Sequence, residues 1–135
     1  MKCKTIVAVV LAMVMSVLPV SAADMSARAV DPRFQHAATV DLVISFDNNN
    51  VVYGTLLVDP YDSAAGVSGM MKLFDENGTV LAVWPVSDYD EPFAVENTYQ
   101  GQHGATYTLY FKGYVYGKHY TAADPIELQI TDTCI

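Results

Sequence analysis

The side chains that could carry chemistry in this sequence are few and widely spaced. Its histidines are His36, His103 and His119, far apart in the chain. No serine stands in a Gly-x-Ser-x-Gly turn, and no His-x-x-x-His pair occurs. Neither a strained nucleophile turn nor a helical zinc pair is therefore written here. Cys134 is second from the C-terminal end, a poor place for the rigid pocket that a nucleophile needs. The residues thus point to no catalytic group, with a hydrolase of unrecognised site as the remaining enzymatic alternative. Oxygen ligands are more plentiful. Asp88, Asp90 and Glu91 share one stretch, Asp59 and Asp62 another, and Asp47 precedes Asn48, Asn49 and Asn50. Calcium takes about six to eight oxygens, and Asp88, Asp90 and Glu91 are the first choice if it binds. None of these stretches has the spacing of a helix-loop-helix calcium site, and Asp and Asn form turns on their own account. No cofactor is expected.

The remaining constellation is aromatic. Tyr110, Lys112, Tyr114 and Tyr116 recur every second residue, which puts all four on one face of an extended strand. Tyrosine suits strands for packing reasons alone. The same rings also make broad, half-polar contacts at little side-chain entropy cost, which suits a glycan or protein partner.

Two-residue alternation dominates the elements that must position these groups. In Thr39–Phe46, Val40, Leu42, Ile44 and Phe46 point one way and Thr39, Asp41 and Ser45 the other, the pattern of a half-buried strand. Further strands are expected over 51–58, 70–74, 79–86, 93–99, 106–116 and 125–131. Gly54 inside the second suggests a bulge or a close crossing. Asn77-Gly78 is a strong hairpin signal. The residues between, including 59–69, read as loops. No helical period appears after the first twenty positions. Seven strands at spacings of about ten residues, with turn residues between them, predict an all-β sandwich.

The chain of 135 residues has room for one such domain. It opens on Lys2 and Lys4, continues through an apolar run from Thr5 to Leu18, and then reaches Pro19 and the small residues Ser21, Ala22 and Ala23. This is the order of a cleavable signal peptide, and the apolar run is short for a membrane span of about 20 residues. The expected organisation is a signal peptide over 1–23, a flexible lead over 24–38 and a β-sandwich over 39–135; an uncleaved N-terminal anchor is the alternative. Export to the extracellular space follows, with no stable membrane insertion after cleavage. Cleavage would remove Cys3 and leave Cys134 alone, as a free terminal thiol or a bridge between two chains. It would also leave five basic residues against fifteen acidic ones, a net charge of −10 in place of −8. Such a surface argues against nucleic acid, whose phosphates need cationic contacts.

One local stretch carries a family likeness. Gly104-Ala105-Thr106-Tyr107-Thr108-Leu109 resembles the tyrosine corner of immunoglobulin-like and fibronectin-type sandwiches, where a tyrosine early in the sixth strand ties the corner through its hydroxyl. The resemblance implies a seven-strand Greek-key sandwich with Tyr107 in that structural role. The inter-sheet cysteine pair of antibody domains is absent, and the only tryptophan, Trp84, falls on the fourth expected strand. The architecture also looks like that of short secreted bacterial proteins of unknown function, a likeness that implies no activity. The resulting expectation is a secreted, non-catalytic binding module. Its contact face would be Tyr110, Lys112, Tyr114 and Tyr116, joined by Met70 and Phe74, and its partner an extracellular protein or glycan. A structural or self-assembling extracellular subunit is the alternative.

Overall fold

A computed structural model of the chain describes residues 15–19, 25–89, 93–119 and 122–135. Among them are nine strands and no helix: β1 (Met15–Pro19), β2 (Met25–Ala29), β3 (Ala37–Phe46), β4 (Val51–Pro60), β5 (Ala64–Phe74), β6 (Val80–Asp88), β7 (Ala94–Gln100), β8 (Thr106–Gly117) and β9 (Asp124–Thr133). They form two antiparallel sheets, one ordered β1-β2-β3-β4-β7 and the other β6-β5-β8-β9.

The alternation sorts side chains as elementary packing requires. Val40, Leu42, Ile44 and Phe46 of β3, Leu109, Phe111 and Val115 of β8, and Ile126, Leu128 and Ile130 of β9 are all buried in one core between the sheets. Gly54 is paired without interruption to Ile44 on one side and Asn97 on the other. It marks a close approach between the sheets and not a bulge, because a Cβ there would lie 2.8 Å from the Leu109 side chain. Gly69 and Gly113 face each other across β5 and β8. A Cβ on Gly113 would meet the Ser68 carbonyl at 2.1 Å, and the Phe111 ring lies over both glycines.

The two tight hairpins are built alike. Asp47 Oδ1 accepts hydrogen bonds from the backbone N–H of Asn49 (2.8 Å) and Val51 (3.0 Å), and Asn50 takes a left-handed φ of 64°. Asp75 Oδ1 accepts from the N–H of Asn77 and Thr79, both at 2.9 Å, and Gly78 takes φ 80°. A carboxylate that caps the turn and a residue that tolerates positive φ three positions later fold both loops locally.

The architecture departs from the sequence expectation in four places. The expected seven strands correspond to β3–β9, but two more precede them: β1 lies within the segment read as a signal peptide and pairs with β2, which lies within the segment read as a flexible lead. Met25, Ala27 and Ala29 of β2 are buried, yet two of the three are alanine, so the apolar alternation is faint in the sequence. Strand β5 begins at Ala64, inside the expected 59–69 loop, because its small residues serve close packing between β6 and β8. His36, expected in the lead, is buried. Cys134, expected as a free terminal thiol or a bridge between two chains, is fully buried and disulfide-bonded. Its N–H donates to the Ala105 carbonyl at 2.9 Å, and its own carbonyl accepts from Gly104. The other cysteine of the sequence, Cys3, lies outside the described residues.

Candidate functional site

The outer face of the β6-β5-β8-β9 sheet gathers the aromatic stripe. Strand register places Lys72 opposite Tyr110, Met70 opposite Lys112 and Ser68 opposite Tyr114 on one side. On the other side it places Gln129, Glu127 and Pro125 opposite the same three β8 residues. Tyr114 is 55% exposed and Met70 36%, and Lys112 is exposed. Tyr110 is half-buried and better anchored. Its hydroxyl donates to Glu127 Oε2 at 2.5 Å, and its ring meets Phe74 edge to face at 6.5 Å. Burial, and then the Glu127 carboxylate, push the Tyr110 phenol up to about 12. Tyr116 is half-buried against Tyr89, whose ring lies 6.0 Å away. Burial first, then Tyr89, push its phenol up to about 12 as well. Gly66 makes room for the Tyr116 hydroxyl, since a Cβ there would lie 2.6 Å from it. The four stripe residues therefore share a face, as alternation requires, but differ in freedom: Tyr110 and Tyr116 are fixed, while Lys112 and Tyr114 are open.

Charge on this face is mixed. Lys72 and Lys112 stand two residues apart in register around Tyr110, and neither belongs to a salt bridge among the described residues. The carboxylate beside them is Glu127, already bonded to Tyr110. Apolar groups extend the surface. Of the large hydrophobic side chains exposed among the described residues, Met70, Val80, Val83 and Tyr114 project from this one face and Tyr89 follows the end of β6, while Val30, Leu57, Tyr61 and Ile135 lie elsewhere.

The other sequence candidates are spread elsewhere. Tyr107 is buried at the start of β8, and its hydroxyl accepts a 2.8 Å hydrogen bond from the Gln102 N–H, five residues upstream. Asp88 accepts from the Ala94 N–H at 3.2 Å, while Asp90 and Glu91 lie outside the described residues. Among the described residues no three histidine, cysteine or acidic side chains gather as a metal site. The Asp47 turn spends its carboxylate on the backbone and, through Oδ2, on the Tyr53 hydroxyl at 2.8 Å.

His103 and His119 are exposed. His36 is instead part of a structural latch. Its Nδ1 lies 2.9 Å from Ser63 Oγ and its Nε2 3.1 Å from the Ala122 carbonyl. The Ser63 hydroxyl bonds the Gln35 carbonyl at 2.9 Å. Buried Asp124 accepts from the backbone N–H of Gln35, His36 and Ala37 at 2.7, 2.7 and 3.0 Å. A carboxylate that satisfies three amides holds the entry to β3 against the start of β9. The serine–histidine contact is tied to backbone carbonyls at both ends, so this geometry fastens loops together. Nothing in local sequence signals the latch, because its members lie 27 to 89 positions apart.

Comparison with family models, curated proteins and solved structures finds no match for this chain. Among the described residues no helix is long and apolar enough to cross a membrane. The fold and site together define an all-β, two-sheet domain with an aromatic, partly apolar outer sheet face.

Proposed function

We propose that this protein is a secreted, non-catalytic binding module that contacts an extracellular protein or glycan through the outer face of the β6-β5-β8-β9 sheet. The observation that carries the reading is the concentration of exposed Met70, Val80, Val83 and Tyr114 on one sheet face, beside the anchored ring of Tyr110 and two lysines. Exposed apolar groups scattered singly need no explanation, whereas a shared patch with a polar rim marks contact surfaces. Secretion is read from the order of residues between Lys2 and Ala23.

An immunoglobulin-like or fibronectin-type relationship is supported by two features. One is the Gln102–Tyr107 hydrogen bond at the corner before β8. The other is strand order. If β3–β9 are lettered A to G, then A, B and E share one sheet and C, F and G the other, as in immunoglobulin sandwiches, with the fourth strand beside C.

A glycan array probed with the wild-type protein and with Tyr114→Ala tests the contact face. The ring is exposed and its removal leaves the core intact, so loss of signal would report the surface alone. A central aromatic anchor typically contributes about 2 kcal/mol or more, so the expected loss is at least tenfold. Equal signals from the two proteins would end the assignment.

A further inference from the structure

A hollow lies away from the tyrosine face, between the tip of the β5–β6 hairpin and the corner that joins β7 to β8. Its volume is about 280 Å³. Its aromatic lining is Tyr99 and Tyr107, whose rings meet at 6.5 Å and 62°. Leu81 adds an apolar wall, and Asp75 and Glu76 stand at the hairpin side. No lysine, arginine or histidine lines it. The Glu76 carboxylate and Asp75 Oδ2 have no hydrogen-bond or salt-bridge partner among the described residues; Asp75 is engaged only through Oδ1.

Both sides of the hollow are fixed before any ligand arrives. The hairpin tip is held by the Asp75 cap and by the Gly78 N–H to the Asp75 carbonyl at 3.1 Å. The corner is held by Gln102 N–H to the Tyr107 hydroxyl, and by Gly101 N–H to the Asn50 carbonyl at 3.0 Å. Preorganised walls of this kind reduce the ordering cost of binding.

We propose that this hollow binds an organic cation, a primary ammonium on a short alkyl stem. The half-buried Tyr99 ring, backed by buried Tyr107, offers an aromatic wall to the cation and the alkyl stem packs on Leu81, while Asp75 and Glu76 supply the negative charge. The net charge of −8 favours the approach of cations to the whole surface. Asn77, Gln100, Gln102 and Thr106 complete the polar lining, but no third carboxylate joins Asp75 and Glu76, and Tyr99, Leu81 and Ala105 give a hard metal ion nothing to bind. A neutral sugar would leave both carboxylates without a counter-charge. The same ammonium chemistry is presented by a free diamine and by a lysine side chain of a peptide.

Titration of ¹⁵N-labelled protein with cadaverine, with 1,5-pentanediol as its neutral isostere, and with a capped Gly-Lys-Gly peptide tests the site. Saturable shifts of the Gln102 and Thr106 amides are expected with cadaverine or the peptide, and none with the diol; the tighter of the two cations identifies the source. Glu76→Gln, at an exposed turn position, and Tyr99→Leu are each expected to weaken binding about threefold or more. Thermal unfolding of each variant checks that the domain is intact. The proposal is overturned by equal shifts with pentanediol, by no saturable shift with either cation, or by cadaverine binding that both variants leave unchanged.

Discussion

At the residue scale, the tyrosines of β8 show how one sequence pattern yields side chains with different physics. Tyr110 and Tyr114 are four residues apart on the same face, yet Tyr110 is bonded to Glu127 and packed on Phe74, while Tyr114 stands in solvent. The Tyr110 phenol is raised to about 12 by burial and by Glu127, against about 10 in an unfolded chain. A raised value on this group means that its protonated form is favoured by folding. That stability is fully present below about pH 10 and is lost as pH rises toward about 12. Urea unfolding followed between those limits should show a falling midpoint in the wild type and a shallower fall in Tyr110→Phe. An identical slope in the two proteins would remove the Glu127 contact from the account. The shared face of the stripe was legible in the sequence, because alternation alone dictates it. Its division into fixed and open rings was not, since Glu127 and Phe74 come from neighbouring strands.

At the element scale, strand pairing decides what the face looks like. Gly69 and Gly113 let β5 and β8 run close under the Phe111 ring, and this contact sets the register that places Met70 beside Lys112. Gly113→Ala puts a Cβ 2.1 Å from the Ser68 backbone carbonyl. Backbone cannot move aside as a side chain tip does, so the variant should lose about 1–3 kcal/mol by urea denaturation. A neutral effect would mean the two strands are not in this register. The same scale explains what sequence reading missed. Strands β3 and β8 were readable because Val, Leu, Ile and Phe alternate with polar residues. Strand β2 hides its burial behind alanines, and the first half of β5 uses Ala and Gly, which resemble a loop. Small residues chosen for closeness carry a weak hydropathy signal, and their meaning appears only once the partner strand is known. The Asp47 turn was legible as a turn, since Asp and Asn cap their own backbone, and its carboxylate does so.

At the scale of the whole molecule, the account rests on one core with two differently used exteriors. The β6-β5-β8-β9 sheet exposes rings and methionine, while the outer side of the opposite sheet carries the Arg28–Asp41 pair at 2.7 Å beside the single exposed side chain of Leu57. The corner near Tyr107 adds a hollow whose lining bears only negative charge. These surfaces follow from how the sheets are stacked, so the most direct measurement is one that reads inward and outward positions along the same strand. Met70 and Met71 are neighbours in sequence with chemically identical side chains, but Met70 is 36% exposed and Met71 0%. Hydroxyl-radical footprinting with peptide mass spectrometry compares their oxidation in the native protein, alongside exposed Tyr114 and buried Phe111. The account predicts rapid modification of Met70 and Tyr114, with Met71 and Phe111 protected until the domain unfolds. Equal oxidation of the two methionines, or faster oxidation of Met71, would contradict it.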